Sequence, residues 1–147
     1  MTKKILYFDM DGVLADFQGY VDQIPPDPDI EVDEIDGLFA QLEPIEGAID
    51  AFNILFEHFD CYILSTAPWG NVSAWSDKRE WVERYLGEAA TKRLILSHNK
   101  HLNMGDYLID DRTANGAGQF TGEHIHFGTD RFPDWDAVLQ YLLGDQQ

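Results

Sequence analysis

Two aspartates one residue apart, Asp9 and Asp11, end the apolar run Ile5-Leu6-Tyr7-Phe8 and are followed at once by Gly12. A short all-apolar run reads as a strand buried on both faces, and a sheet interior cannot hold unpaired carboxylates. Asp9 and Asp11 are therefore expected where strand becomes loop, at the carboxyl edge where open α/β sheets bind ligands, with Gly12 permitting a sharp turn. A second acidic pair, Asp110-Asp111, follows Tyr107-Leu108-Ile109. Carboxylates gathered together repel unless a cation offsets them. Mg²⁺ commonly takes one or two carboxylates plus water and substrate phosphate, so Asp9, Asp111 and the main-chain carbonyl of the Asp11 turn are candidate ligands, with Asp110 in support. The chemistry this spacing suggests is phosphoryl transfer. The Asp9 carboxylate would attack phosphorus to form an aspartyl phosphate, while Asp11 would give a proton to the leaving oxygen and later take one from water.

Groups that could hold the phosphoryl oxygens lie at other expected strand ends. Ser65 and Thr66 follow Cys61-Tyr62-Ile63-Leu64, and Lys100 follows Leu94-Ile95-Leu96 within Ser97-His98-Asn99-Lys100. Lys78 lies beside Arg79 just after Asp77, which with Glu80 has capping-box spacing. A helix starting there would put Lys78 in its first turn, where the dipole disfavours cations unless an anion is bound. Arg112 stands next to Asp111, where it would balance the acidic pair. His124 and His126 alternate along a strand and share one face, but no third ligand lies nearby in sequence, which argues against zinc.

The remaining pattern supplies the elements that must position these groups. A helix is expected from Glu46, with Ile49, Phe52 and Phe56 on one stripe; another from Asp77 to Gly87; a last one after Pro133-Asp134 with Trp135, Val138, Leu139 and Leu142 inward. A weaker fifth strand covers His124-Ile125-His126-Phe127. Strands alternating with helices imply a parallel sheet with helices on both faces. Residues 17–44 break the pattern with Pro25-Pro26-Asp27-Pro28 and an acidic stretch, and only Ile35, Leu38, Phe39 and Leu42 repeat at helical spacing, suggesting one short helix. This stretch reads as an insertion over the sheet edge, within a single domain spanning 1–147.

The chain has 147 residues, 44% of them hydrophobic, enough for one globular core and too many for a disordered chain. Its net charge of −17 argues against a duplex nucleic-acid partner and confines any phosphate site to a metal and a few placed cations. No apolar stretch is long enough to span a membrane, and Asp9 interrupts the run after Lys3-Lys4 too early for a signal peptide. Cys61 is the single cysteine, which suits a reducing, cytoplasmic compartment.

With Asp9-Met10-Asp11-Gly12-Val13, Ser65, Lys100 and Asp110-Asp111 in this order, the sequence resembles a phosphatase of the haloacid dehalogenase (HAD) superfamily. It is most similar to the 5′(3′)-deoxyribonucleotidases, the cytosolic type C 5′-nucleotidase-like proteins. That closer likeness is carried by Asp9 to Phe17, Leu42-Glu43-Pro44-Ile45-Glu46-Gly47-Ala48, Lys78-Arg79-Glu80-Trp81-Val82 with Tyr85-Leu86-Gly87, and Gly105-Asp106-Tyr107-Leu108-Ile109-Asp110-Asp111-Arg112. The resemblance implies a Rossmann-like three-layer α/β/α fold with parallel sheet order 5-4-1-2-3 and a small helical cap, residues 17–44, inserted after strand 1. It also implies Asp9 as nucleophile, Asp11 as acid/base, Ser65, Lys78 and Lys100 at the phosphate (beside the Thr66 read from its strand end), Mg²⁺ on Asp9, the Asp11 carbonyl and Asp111, and Phe17 beneath a nucleobase. The substrate it implies is a nucleoside monophosphate. The stretch 17–44 is short for that family's cap and holds only Phe17, Tyr20 and Phe39 as aromatics, so an open site is expected, compatible with a homodimer in which a partner subunit's surface completes it. Two other readings fit parts of the pattern. One is a same-fold phosphatase of another small or macromolecular phosphate. The other is a receiver-like phosphoacceptor signalling domain, against which stands the order of Lys100 before the second acidic pair.

Overall fold

The structure, a computed structural model, describes residues 2–144. Its five strands are β1 (Ile5–Phe8), β2 (Asp60–Ser65), β3 (Leu94–Leu96), β4 (Tyr107–Asp110) and β5 (Glu123–His126). All pair in parallel in the order β3-β2-β1-β4-β5, which is the expected 5-4-1-2-3 read from the other edge. The chain runs outward from β1 through β2 to β3, then crosses back to β4, so the direction of winding reverses between β1 and β4. That reversal opens a crevice beyond the carboxyl ends of these two strands. Phe8 pairs with Ile63 on one side and Ile109 on the other, and the Asp9 N–H extends the ladder by donating to the Ile109 carbonyl at 2.8 Å.

The side-chain period of two divides the sheet between two packings. Leu6, Phe8, Cys61, Ile63, Ile109 and Ile125 are fully buried against α2 (Ala48–Phe56), α3 (Val72–Leu86) and α4 (Trp135–Gly144). Tyr7, Leu64 and Leu108 on the opposite face pack against Ala117 and Phe120. That side is covered by the β3–β4 and β4–β5 connections, which are short and carry only the 3₁₀ turns Lys100–Leu102 and Ala117–Gln119, so the second helical layer is thin. Buried indoles find acceptors, as they must: Trp135 Nε1 donates to the Val13 carbonyl and Trp81 Nε1 to that of Leu42, both at 2.9 Å.

Two expected elements differ. Helix α3 begins at Val72, not at Asp77. Ala74, Lys78, Trp81 and Val82 are all buried on one stripe, and the lysine in that stripe hid its continuation towards the amino end. The short helix expected over 35–42 is absent. Residues 17–44 instead contain helix α1 (Phe17–Val21) and the 3₁₀ turns Val32–Glu34 and Leu38–Ala40. Asp16 caps α1, its Oδ1 accepting from the Gly19 N–H at 2.9 Å. Leu38, Phe39 and Leu42 reach the core from irregular chain: their spacing marked burial, while Asp36-Gly37 (Gly37 at φ +79°) interrupts the helix they would need. Asn71 fastens this stretch to the start of α3, since its buried amide donates to the carbonyls of Asp33 (2.9 Å) and Ile35 (3.0 Å).

Candidate active site

The turn after β1 is wound around one carbonyl. Met10, wholly buried, accepts from the N–H groups of Val13, Leu14 and Ala15 at 3.2, 2.8 and 2.8 Å. This places Asp9 and Asp11 on either side of an anchored residue. Gly12 sits at φ +80°, and a Cβ there would stand 2.1 Å from Asp111 Oδ2. A glycine is required on both counts, because it alone lets the β1 turn and the end of β4 close on each other.

Carboxylate oxygens of Asp9, Asp110 and Asp111 lie within 4.8 Å of one another. Lys100 Nζ, in a residue 3% exposed, bridges Asp9 Oδ1 at 3.0 Å and Asp110 Oδ2 at 2.6 Å. Burial alone would lower its pKa, but the two carboxylates more than offset that and hold its ammonium above the ordinary value. One cation does not neutralise three acids. Desolvation and the nearby Asp9 carboxylate push Asp111 up to about 7, and the same causes, opposed by Lys100, push Asp110 up to about 6. Asp111 Oδ1 is buried with no hydrogen-bond partner. Crowded hard-oxygen donors short of two positive charges, with a lone pair left unused, are what a divalent oxygen-seeking ion requires, so the residues present fit Mg²⁺.

Asp11 is served by a separate cation. Lys78 Nζ, fully buried, contacts Asp11 Oδ2 at 2.8 Å and Ser65 Oγ at 3.0 Å, and lies 4.6 Å from the centre of the Phe39 ring. Lys78 is therefore well inside α3, and the expectation of a first-turn lysine calling for a bound anion is overturned: its partner is Asp11. Desolvation raises the Asp11 carboxyl, with Lys78 opposing and Asp9 reinforcing the shift. Arg79, its neighbour, is exposed and pairs with Glu83 one turn on.

These groups floor a cleft of about 860 Å³. Asp9, Asp11, Asp111, Thr66, Lys100 and Phe17 reach its wall, whereas Ser65, Lys78 and Asp110 lie one layer behind. Thr66 donates its hydroxyl to the Ser97 carbonyl at 2.7 Å, which ties the ends of β2 and β3 together. The Arg112 side chain also lines the cleft. Among the described residues it forms no ion pair; its main-chain N–H binds Asp110 Oδ1 at 2.9 Å. Phe17 stacks on Phe39, centroids 5.8 Å apart at 19°.

Some contributors escape sequence reasoning. Trp69, 81% exposed, meets Trp75 and His98 edge-on at the mouth, at 6.2 and 6.0 Å between centroids, and no motif or periodicity marks it. Asn115 and Gly116, both at positive φ, carry Lys100 from behind, the Lys100 N–H donating to the Asn115 carbonyl at 2.8 Å; Gly116, Gly118 and Gly122 are the one signal the sequence offers for this loop. His124 and His126 do share a face, and their rings stack 5.1 Å apart.

The family model for 5′ nucleotidase, deoxy (pyrimidine), cytosolic type C protein matches residues 33–135. A Vibrio phage KVP40 protein named as a 5′(3′)-deoxyribonucleotidase is 59% identical over 149 residues, covering 99% of this chain and 88% of the relative. The human 5′(3′)-deoxyribonucleotidase, cytosolic type, is 31% identical over 81% of this chain and 77% of its own. In fold, the chain is similar to the Bacillus subtilis HAD-hydrolase YfnB, solved bound to magnesium, with a TM-score of 0.64 at 15% identity over 97% of this chain and 99% of that one. The chain therefore belongs to the deoxyribonucleotidase (cytosolic type C 5′-nucleotidase) family, on a fold shared with a HAD hydrolase.

Proposed function

We propose that this protein is a Mg²⁺-dependent phosphomonoesterase that cleaves nucleoside monophosphates through a phosphorylated Asp9, with residues 17–44 as a small cap on a single domain. The observation that carries the reading is the division of labour between two buried lysines. Lys100 neutralises and orients Asp9, while Lys78 is reserved for Asp11. Asp9 is 6% exposed yet lines the cleft, so its carboxylate meets substrate with little competing water, a nucleophile made effective by position. Asp11 keeps 27% side-chain exposure, and burial favours its protonated form, the state needed to hand a proton to the departing nucleoside oxygen. Asp11 then takes the proton of the water that hydrolyses the acyl phosphate and returns to its starting state.

Asp9, Asp111 and the Asp11 carbonyl would hold Mg²⁺, with Asp110 fixed behind them by Lys100 and the Arg112 N–H. Bound there, the ion supplies charge neutralisation for the phosphoryl oxygens. Lys100 and the Thr66 turn are the chain's own contacts for those oxygens, and Ser65 and Lys78 brace them. The remaining cleft suits a nucleoside: its walls carry Phe17 over Phe39 on one side and Trp69 on another. The names of the relatives support the substrate class. Membership of a hydrolase family sets aside the receiver alternative. The name of the human relative, a cytosolic type, supports a substrate met in the cytoplasm. A panel of nucleoside monophosphates and simple phosphate esters, assayed with and without Mg²⁺, tests the reading. Mg²⁺-dependent phosphate release fastest on nucleotides is expected, and equal rates on glycerol phosphate would remove the nucleoside assignment.

A further inference from the structure

The two histidines of β5 make contacts that the mechanism leaves unused. His124 Nε2 lies 3.0 Å from the Asp110 carbonyl oxygen, and His126 Nε2 lies 3.0 Å from that of Asp111. A carbonyl only accepts, so each Nε2 must carry the proton. The two rings stack 5.1 Å apart, with both N–H groups aimed at the acidic loop. The backbone explains why they are placed there. The β4–β5 ladder ends with Asp110 opposite His126, and the Asp110 carbonyl also accepts from the Phe127 N–H at 3.0 Å. Beyond that point the strands no longer hold each other. Among the described residues, His126 is the one donor to the Asp111 carbonyl.

We propose that His124 and His126 are positioning residues for the acidic pair, and that His126 fixes the peptide plane from which the Asp111 carboxylate reaches the metal site. This rests on the reading of that site as a Mg²⁺ centre. The imidazoles continue a β-ladder by side chain past its last main-chain bond. In doing so they hold Asp111 against Gly12, where its Oδ2 has no room to move inward. They also aim N–H dipoles at a loop that gathers like charges, which lessens the cost of assembling the acids before an ion arrives. Partners of this kind behind metal ligands are typically worth about 10–100-fold in metal affinity or activity. The two should differ, because the Asp110 carbonyl keeps its Phe127 N–H when His124 is lost, whereas the Asp111 carbonyl has no other donor among the described residues.

The test is Mg²⁺ binding measured by calorimetry, with melting temperature and steady-state kinetics on the same samples. His126→Phe keeps the flat ring and removes the donor; it should weaken Mg²⁺ binding by about 10–100-fold and raise the Mg²⁺ needed for half-maximal rate alike, with nucleotide KM at saturating Mg²⁺ little changed. His126→Gln, whose amide N–H can take the place of Nε2, should restore most of the affinity. His124→Phe should have the smaller effect. If His126→Phe does not fold, His126→Asn, too short to reach the Asp111 carbonyl, carries the same expectation. Wild-type binding in the donor-less variant, or an equal loss in the Gln variant, would overturn the assignment. Absence of Mg²⁺ binding by the unaltered protein would overturn the metal reading itself, and the inference with it.

Discussion

Gly12 and Asp111 are so closely apposed that a single methyl group at Gly12 would lie 2.1 Å from Asp111 Oδ2. The two residues come from opposite ends of the sequence and meet because β1 and β4 are neighbours. Gly12→Ala should therefore act on the site more than on the fold. The φ of +80° costs an alanine about 1–2 kcal/mol, and the displaced Asp111 should cost about 10²-fold in kcat/KM. Kinetics alongside a melting curve separates the two; a melting loss with intact turnover would show that the contact is not used.

Asp9→Asn keeps the shape of the side chain and leaves Lys100 its bond to Asp110. Phosphate release should fall to background while the fold survives, as judged by circular dichroism. Trapping a phosphorylated protein by acid quench in the wild type, and failing to trap one in the variant, checks the nucleophile directly. Full activity in Asp9→Asn would end that assignment.

Lys78 is entirely buried and its ammonium meets a carboxylate. Lys78→Met should destabilise the protein by about 3–5 kcal/mol, since it strands Asp11 without its partner, and should raise the Asp11 pKa further. The basic limb of the pH–rate profile, set by loss of the Asp11 proton, should then move to higher pH. Denaturant unfolding and a pH series on the same preparation measure both effects.

Asp110 and Asp111 hold their protons to about 6 and about 7 in the folded chain, against an ordinary carboxyl value near 3.9 when unfolded. The native state thus binds more protons than the unfolded one across this interval, and unfolding free energy falls as pH rises from about 4 to about 7. Without metal, the protein should melt at a lower temperature at pH 8 than at pH 5.5. Mg²⁺ should restore more stability at pH 8, where both carboxylates are ready to bind it. Asp111→Asn should flatten the dependence, and thermal melts across pH with and without Mg²⁺ will show whether it does.

Trp69 is 81% exposed on the wall of the cleft. Trp69→Ala should raise KM for a nucleoside monophosphate several-fold, with little change for glycerol phosphate, because only the former offers a flat ring for the indole to cover. Stacking of a base on an aromatic side chain is worth about 1–3 kcal/mol. An equal change for both substrates would assign Trp69 to loop structure instead.

Much of this site was legible before folding because its chemistry is expensive to place anywhere else. Asp9, Asp11, Asp110 and Asp111 each interrupt or end an apolar strand, and a carboxylate in that position either binds something or destabilises the chain. Alternation of strands and helices then sufficed to bring them to one edge. What stayed hidden was carried by contacts without periodicity. Lys78 is placed in a first turn, facing an anion, because a lysine interrupts the stripe that carries α3 back to Val72, and its carboxylate partner lies 67 residues away. The histidines were weighed as ligands for an ion, but their partners are main-chain carbonyls, a role that carries no spacing rule. Trp69 lies in a turn whose function depends on what faces it across the cleft.

Asn71 bears on how a substrate arrives. Its buried amide grips the carbonyls of Asp33 and Ile35, and the Ser73 hydroxyl accepts from the Gly37 N–H at 3.0 Å. Phe39, a few residues on, is rooted in the core. The roof over the phosphate end is thus tied to the same helix that supplies Lys78. Opening that roof would mean breaking these bonds, so turnover is expected to be paced by chemistry and diffusion rather than by a hinge.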